Sequence, residues 1–144
     1  MTDTYKIGGF GTDTISGRTS IHLASPIVGT VTSGTGYTFE YDAADYVVTA
    51  GKSFYPTEFD LYCNVAGDNQ PVMITIVYAD NSALTTNRVD IGSFATGFYG
   101  TVMMYANIPI GGIPSVPAGK YVGLWNYYGS ATGGKQCFLK GYEE

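Results

Sequence analysis

The stretch TAGKSFYPTEFDLYCNVAGDNQPVMITIVY, residues 49–78, decides the fold. Phe59, Leu61, Cys63 and Val65 alternate with Glu58, Asp60, Tyr62 and Asn64. A period of two over eight residues marks a strand with one buried face. The polar loop Gly67-Asp68-Asn69-Gln70-Pro71 breaks the pattern, and the β-branched run Val72 to Tyr78 follows. Two such runs across a short loop predict a hairpin. An Ala-Gly-Lys turn at Ala50-Gly51-Lys52 opens it.

Working outward, the same signals recur. Tyr37, Phe39 and Tyr41 alternate with Thr38 and Glu40, and Tyr46 to Thr49 reads as a short strand. Ala83 to Asn87 reads as a loop or one helical turn, Arg88 to Ile91 as a short strand, and Gly92 to Gly97 as a loop. In Phe98 to Ile108, Phe98, Val102, Met104, Ala106 and Ile108 share one side and Tyr99, Thr101, Met103, Tyr105 and Asn107 the other. Pro109 to Pro117 is a Gly/Pro crossing. Lys120 to Tyr128 sets Val122 and Leu124 against Tyr121, Trp125 and Tyr127; Gly129 to Gly134 reads as a turn. Gln136 to Tyr142 is the final strand, with Cys137 and Leu139 opposite Phe138 and Tyr142. Seven to nine short strands with regular turn signals predict an all-β, single-domain antiparallel sandwich. The long crossings favour a jelly roll.

Residues 1–36 differ from the rest. Glycines punctuate a Ser/Thr-rich sequence, and only Ser20 to Leu23 and Ile27 to Thr32 look like strands. The expected organisation is an N-terminal arm or edge segment over 1–36 and a sandwich over 37–144. A leader ending in an edge strand and an arm that orders on a partner both fit.

The chain has 144 residues, enough to bury roughly 70% of the unfolded surface. Only 13% of residues are charged, about half the ~25% usual for globular domains. The surface must therefore be made of Thr, Ser, Asn, Gly and Tyr, which suits an assembly or a neutral polar ligand. Seven basic against twelve acidic residues give a net charge of -5. That opposes nucleic-acid binding, which needs a basic stripe. No apolar run is long enough to span a membrane, and Met1-Thr2-Asp3-Thr4-Tyr5 lacks the features of a secretory signal. The expected compartment is a cytoplasm, at least until assembly. Cys63 and Cys137 read as two small buried hydrophobes or as a disulfide, and nothing beside them makes a zinc site.

No catalytic, cofactor or metal motif is present, so the expectation is a non-enzyme. His22, the sole histidine, has neither nucleophile nor orienting acid placed around it by any motif. Glu58 and Asp60 share one side of a strand and span roughly 6.6 Å, within the separation a glycosidase needs, yet acids on a polar strand face are common. Asp68-Asn69, Asp80-Asn81, Asp42 and Asp45 sit in turns; oxygen-rich loops can hold calcium, but these are also the ordinary turn residues.

Tyr62, Tyr99, Tyr105, Tyr121, Trp125 and Tyr127 all fall opposite the inward positions, making a candidate interaction face. Aromatics on an uncharged face suggest contact. Three readings stay open: an interface with partner subunits, the second face of the core, or a sugar-stacking platform.

Val48-Thr49-Ala50-Gly51-Lys52-Ser53-Phe54-Tyr55 and Val116-Pro117-Ala118-Gly119-Lys120-Tyr121-Val122 echo each other. This V-x-A-G-K-x-F/Y pattern, leading into an alternating strand and an Asn-rich turn, resembles small jelly-roll virion proteins of tailed bacteriophages. These include capsid decoration (cement) proteins and head-fibre or tail-fibre modules. The resemblance covers roughly residues 46 to 142. It implies a non-enzymatic virion protein, a homotrimer that contacts the major capsid protein or another virion protein and reaches neighbours with a terminal arm. The alternative it implies is a carbohydrate- or receptor-binding module of a fibre or tail, with a glycan as ligand.

Overall fold

A computed structural model describes residues 17–25, 28–30, 32–41, 44–65, 72–96, 102–109, 112–128 and 132–144. Among the described residues, eleven strands run in chain order: β1 (Thr19–Ala24), β2 (Val28–Thr30), β3 (Thr35–Thr38), β4 (Glu40–Tyr41), β5 (Ala44–Asp45), β6 (Phe54–Val65), β7 (Val72–Ala79), β8 (Val89–Thr96), β9 (Val102–Pro109), β10 (Tyr121–Tyr128) and β11 (Thr132–Glu143). They form two antiparallel sheets packed as a sandwich. The first runs β5-β4-β1-β11-β6-β9, with β2 also on β11; the second runs β3-β10-β7-β8. The two-residue strands β4 and β5 and the three-residue β2 set aside, the sheets read β1-β11-β6-β9 and β3-β10-β7-β8. That interleaved order is the jelly roll.

The alternation that begins at Glu58 buries Phe59 and Leu61 as expected, and Asp60 between them is buried as well. Phe59 and Leu61 of β6, Leu139 and Cys137 of β11, and Ile21 and Leu23 of β1 face Ile74 and Ile76 of β7 and Val122 and Leu124 of β10. Phe59 stacks on Phe94 of β8 with ring centroids 4.7 Å apart. Phe54 is also buried, although it lies five positions before Phe59 and strict alternation would put them on opposite faces. The β6–β11 register shifts between Lys140 and Gly141, leaving Thr57 as the extra residue beside Pro56. A bulge resets the phase of a strand and tolerates proline. The Thr57 hydroxyl donates to the Lys140 carbonyl at 3.2 Å.

The two Ala-Gly-Lys turns lie side by side. Gly119 N–H donates to the Val48 carbonyl at 2.8 Å and Val48 N–H to the Lys120 carbonyl at 3.1 Å. Gly51 and Gly119 both have positive φ, near 77° and 74°, which only glycine adopts without strain. The echo in sequence is thus one corner used twice.

The structure divides the segment 1–36. β1 pairs with β11 over six residues and with β4 on its other side, and β2 also pairs with β11. Ile21 and Leu23 belong to the core. Residues 1–16 lie outside the described residues. β11 begins at Thr132, inside the stretch that reads as a turn to Gly134. β8 runs to Thr96 through the expected loop Gly92 to Gly97. Tyr46 to Thr49 forms no strand, only an isolated bridge from Val47 to Tyr121. No described helix is long and apolar enough to cross a membrane.

Candidate functional site

β10 presents Tyr121, Trp125 and Tyr127 on the outer face of the second sheet, because Val122 and Leu124 turn inward. Trp125 stands between Gly36 of β3 and Thr75 of β7. A Cβ at Gly36 would lie 2.6 Å from the indole, so the ring can rest over β3 only because that position is glycine.

The loop from Asp80 to Arg88 folds over this face. Asn81 Oδ1 accepts from the Thr85 and Thr86 N–H groups at 3.0 Å each. Leu84, at φ 57°, is driven down onto Val77 and Ala79, with Tyr121 and Trp125 packed around the cluster. Part of the outer face is therefore a small second core. Leu84→Ala should cost about 2 kcal/mol, read as a lowered melting temperature together with altered Trp125 emission. An unchanged melt would mean that the loop contributes nothing to stability.

Arg88 ends this loop. Its guanidinium carbon sits 4.1 Å from the Trp125 ring centroid and 5.7 Å from that of Tyr127. Arg88 Nε meets Asp90 Oδ1 at 3.2 Å, and Nη2 donates to the Tyr127 hydroxyl at 3.1 Å. That hydroxyl donates to Asp90 Oδ2. The hydrogen bond to Asp90, reinforced by burial, raises the Tyr127 pKa, so the phenol stays protonated. A closed Arg–Asp–Tyr triad thus borders the sole tryptophan, and Arg88 already covers its ring. A sugar stacking there would have to compete with a cation–π contact.

The candidate face does not hold together as one surface. Tyr62 and Tyr105 are register partners on β6 and β9, in the other sheet. Tyr121, Trp125 and Tyr127 belong to the sheet whose outer side points the opposite way. Tyr99 lies outside the described residues.

The outer face of the first sheet carries a second constellation. Tyr55 stacks on Tyr142 with ring centroids 5.1 Å apart, and the Arg18 guanidinium carbon lies 4.4 Å from the Tyr142 centroid. Arg18 Nε pairs with Glu144 Oε2 at 2.9 Å, which raises the Arg18 pKa. Lys140 Nζ bridges Glu58 at 2.9 Å and Asp60 at 3.3 Å. The Glu58 hydrogen bond is the main reason its pKa is raised. The two carboxylates weighed as an acid pair are thus tied to one ammonium. His22 is the register partner of Lys140. Arg18, His22, Glu58, Lys140 and Tyr142 line a groove of about 350 Å³.

The turn acids that are described find partners within the chain. Asp80 is held by Lys120 and by Asn87, and the hydrogen bond from Lys120 lowers its pKa. Asp45 accepts from Thr38 at 2.6 Å. Asp42, Asp68 and Asn69 lie outside the described residues. Among the described residues no three His, Cys, Asp or Glu side chains gather as a metal site. Cys137 is buried and stands opposite Leu61, whereas Cys63 stands opposite Lys135.

Sequence reasoning missed Arg18 and Arg88. Arg88-x-Asp90 and Trp125-x-Tyr127 share a spacing of two, which places each pair on one side of a strand; their meeting depends on β10 and β8 flanking β7. Comparison with protein-family models, with curated proteins and with solved structures finds no match.

Proposed function

We propose that this chain is a non-enzymatic virion structural protein, a capsid decoration or cement protein of the tailed-phage kind. In this reading it acts as a homotrimer, contacts the major capsid protein, and is assembled onto the virion in the host cytoplasm. The observation that carries the reading is internal charge neutralisation. Arg18, Arg88, Lys120 and Lys140 each have a carboxylate partner within the chain. What they leave for a neighbour is aromatic and hydroxyl surface with Arg set among it, the composition of interface centres. Burial at ~25 cal/mol per Å² over interfaces of ~1,600 Å² would resist lattice opening. The resemblance of the two V-x-A-G-K segments points the same way.

Light scattering tests it. The expected mass is about three times 15.4 kDa. A monomer that also fails to occupy phage heads lacking it would remove the reading. The arm is tested by deleting residues 1–16 alone, because a deletion of 1–36 would take Ile21 and Leu23 out of the core. Loss of head occupancy at an unchanged melting temperature is expected; retained occupancy would sink the arm.

A second reading, a carbohydrate- or receptor-binding module of a fibre or tail, is favoured by one observation. The groove across β1, β11 and β6 sets the polar side chains of Arg18, His22, Glu58 and Lys140 beside the ring of Tyr142 on a partly apolar floor.

A further inference from the structure

We propose that this groove on the outer face of the first sheet binds a single neutral pyranose unit of a glycan. The inference rests on the second reading above and is independent of the virion reading. The groove lies beside the β6 bulge, and bulges commonly re-aim side chains next to binding sites. Its volume, about 350 Å³, falls in the range of small-ligand clefts, roughly 300–1,000 Å³.

The lining fixes the ligand class. Arg18, His22 and Lys140 offer N–H donors, Glu58 offers carboxylate oxygens, and Ser20 can donate or accept. Tyr142, stacked on Tyr55 and covered by Arg18, borders the groove as a ring held in place by both. Donors and acceptors set together beside one aromatic ring match a ring of hydroxyls, each of which both donates and accepts. The cations do not select an anion, because Arg18 is matched by Glu144, and Lys140 by Glu58 and Asp60.

Two single-copy reporters make the test sharp. His22 is the only histidine and lines the groove; Trp125 is the only tryptophan and lies on the other sheet. The full chain is titrated with glucose, galactose, mannose and N-acetylglucosamine, while the His22 Cε1–H proton is followed by NMR and Trp125 by fluorescence. At least one sugar should move His22 saturably, with half-saturation on the order of 1–10 mM for so small a ligand, and leave Trp125 unmoved. Ser20→Tyr, at an exposed strand position, fills the groove and should abolish the shift without lowering the melting temperature. A saturable response only to glucuronate, or an equal response to glycerol, overturns the neutral-pyranose assignment. A sugar that quenches Trp125 while His22 stays still sinks the groove but keeps the carbohydrate reading. Silence of both reporters sinks both.

Discussion

Gly141→Ala is expected to destabilise the sandwich by about 3 kcal/mol or more, roughly 10 °C in melting temperature for a chain of this size. Gly141 faces inward on β11 opposite Pro56, at the bulge. A Cβ there would collide with the Tyr55 carbonyl and sit 2.6 Å from the Phe54 ring. The carbonyl is backbone and cannot rotate away, and Phe54 is fully buried. Relief requires β6 and β11 to separate where the bulge resets the strand phase. Close-packed interiors lack the slack for this. The measurement is thermal or denaturant unfolding of the variant; a melting temperature within error of the parent would show that the β6–β11 contact is not tight. The Tyr55–Tyr142 stack on the outer side should loosen with it.

Glu143→Ala should cost about 3 kcal/mol. Glu143 is only 3% exposed. Its Oε1 accepts from the Tyr46 hydroxyl at 2.7 Å and from Thr49 N–H at 2.9 Å. Removing the carboxylate takes this acceptor from the Thr49 N–H and from the hydroxyl of Tyr46, whose residue is only 4% exposed. Burial alone would push the Glu143 pKa up, but the hydrogen bonds from Thr49 and Tyr46, with Lys52 nearby, outweigh it and hold the carboxyl below its ordinary value. The unfolded chain, at about 4.3, therefore takes up its proton before the folded one does. The stabilisation is complete above about pH 4.3 and is lost as pH falls through the folded pKa. Glu143→Gln keeps the shape and a carbonyl acceptor but not the charge. It should lose about 1 kcal/mol near pH 7 and show a flatter fall in stability below about pH 4.3. Acid titrations of unfolding with identical slopes for the E143Q variant and the parent would remove this account.

The strands were legible where side chains alternated: residues 58–65, 72–78 and 120–128 became β6, β7 and β10, with Phe59, Leu61, Val122 and Leu124 inward as expected. The hairpin expected from the first two runs did not form: β6 and β7 pair with other strands and lie in different sheets. It was illegible where pairing partners rather than local preference make the strand. Gly92 and Ser93 read as loop, yet Ile76 and Thr75 of β7 supply their ladder. Ser20 to Leu23 read as a short strand, but one in an arm or edge segment, because nothing local shows that β11 would offer it six partners. The inner face of β10 is the one its alternation indicates, but no pattern in one strand tells which sheet it joins. The aromatic face expected from the sequence therefore falls onto two sheets. Arg88 and Asp90 were visible as a pair two apart; their meeting with Trp125 and Tyr127 needed the β10-β7-β8 order.

β11 lies between β1 and β6 in the first sheet, although it is the last of the eleven described strands in sequence. During synthesis, β1 and β6 emerge with a vacant lane between them. The second sheet can assemble only as far as β7 and β8 until β10 arrives to join β3. Neither layer can close early, so the growing chain must hold unpaired strand edges until β10 and β11 have left the ribosome. Such non-local pairing slows folding to about the millisecond-to-second range. A ribosome stalled before Thr132 would display a product with the centre of one sheet missing, the kind of exposed edge that chaperones and proteases act on.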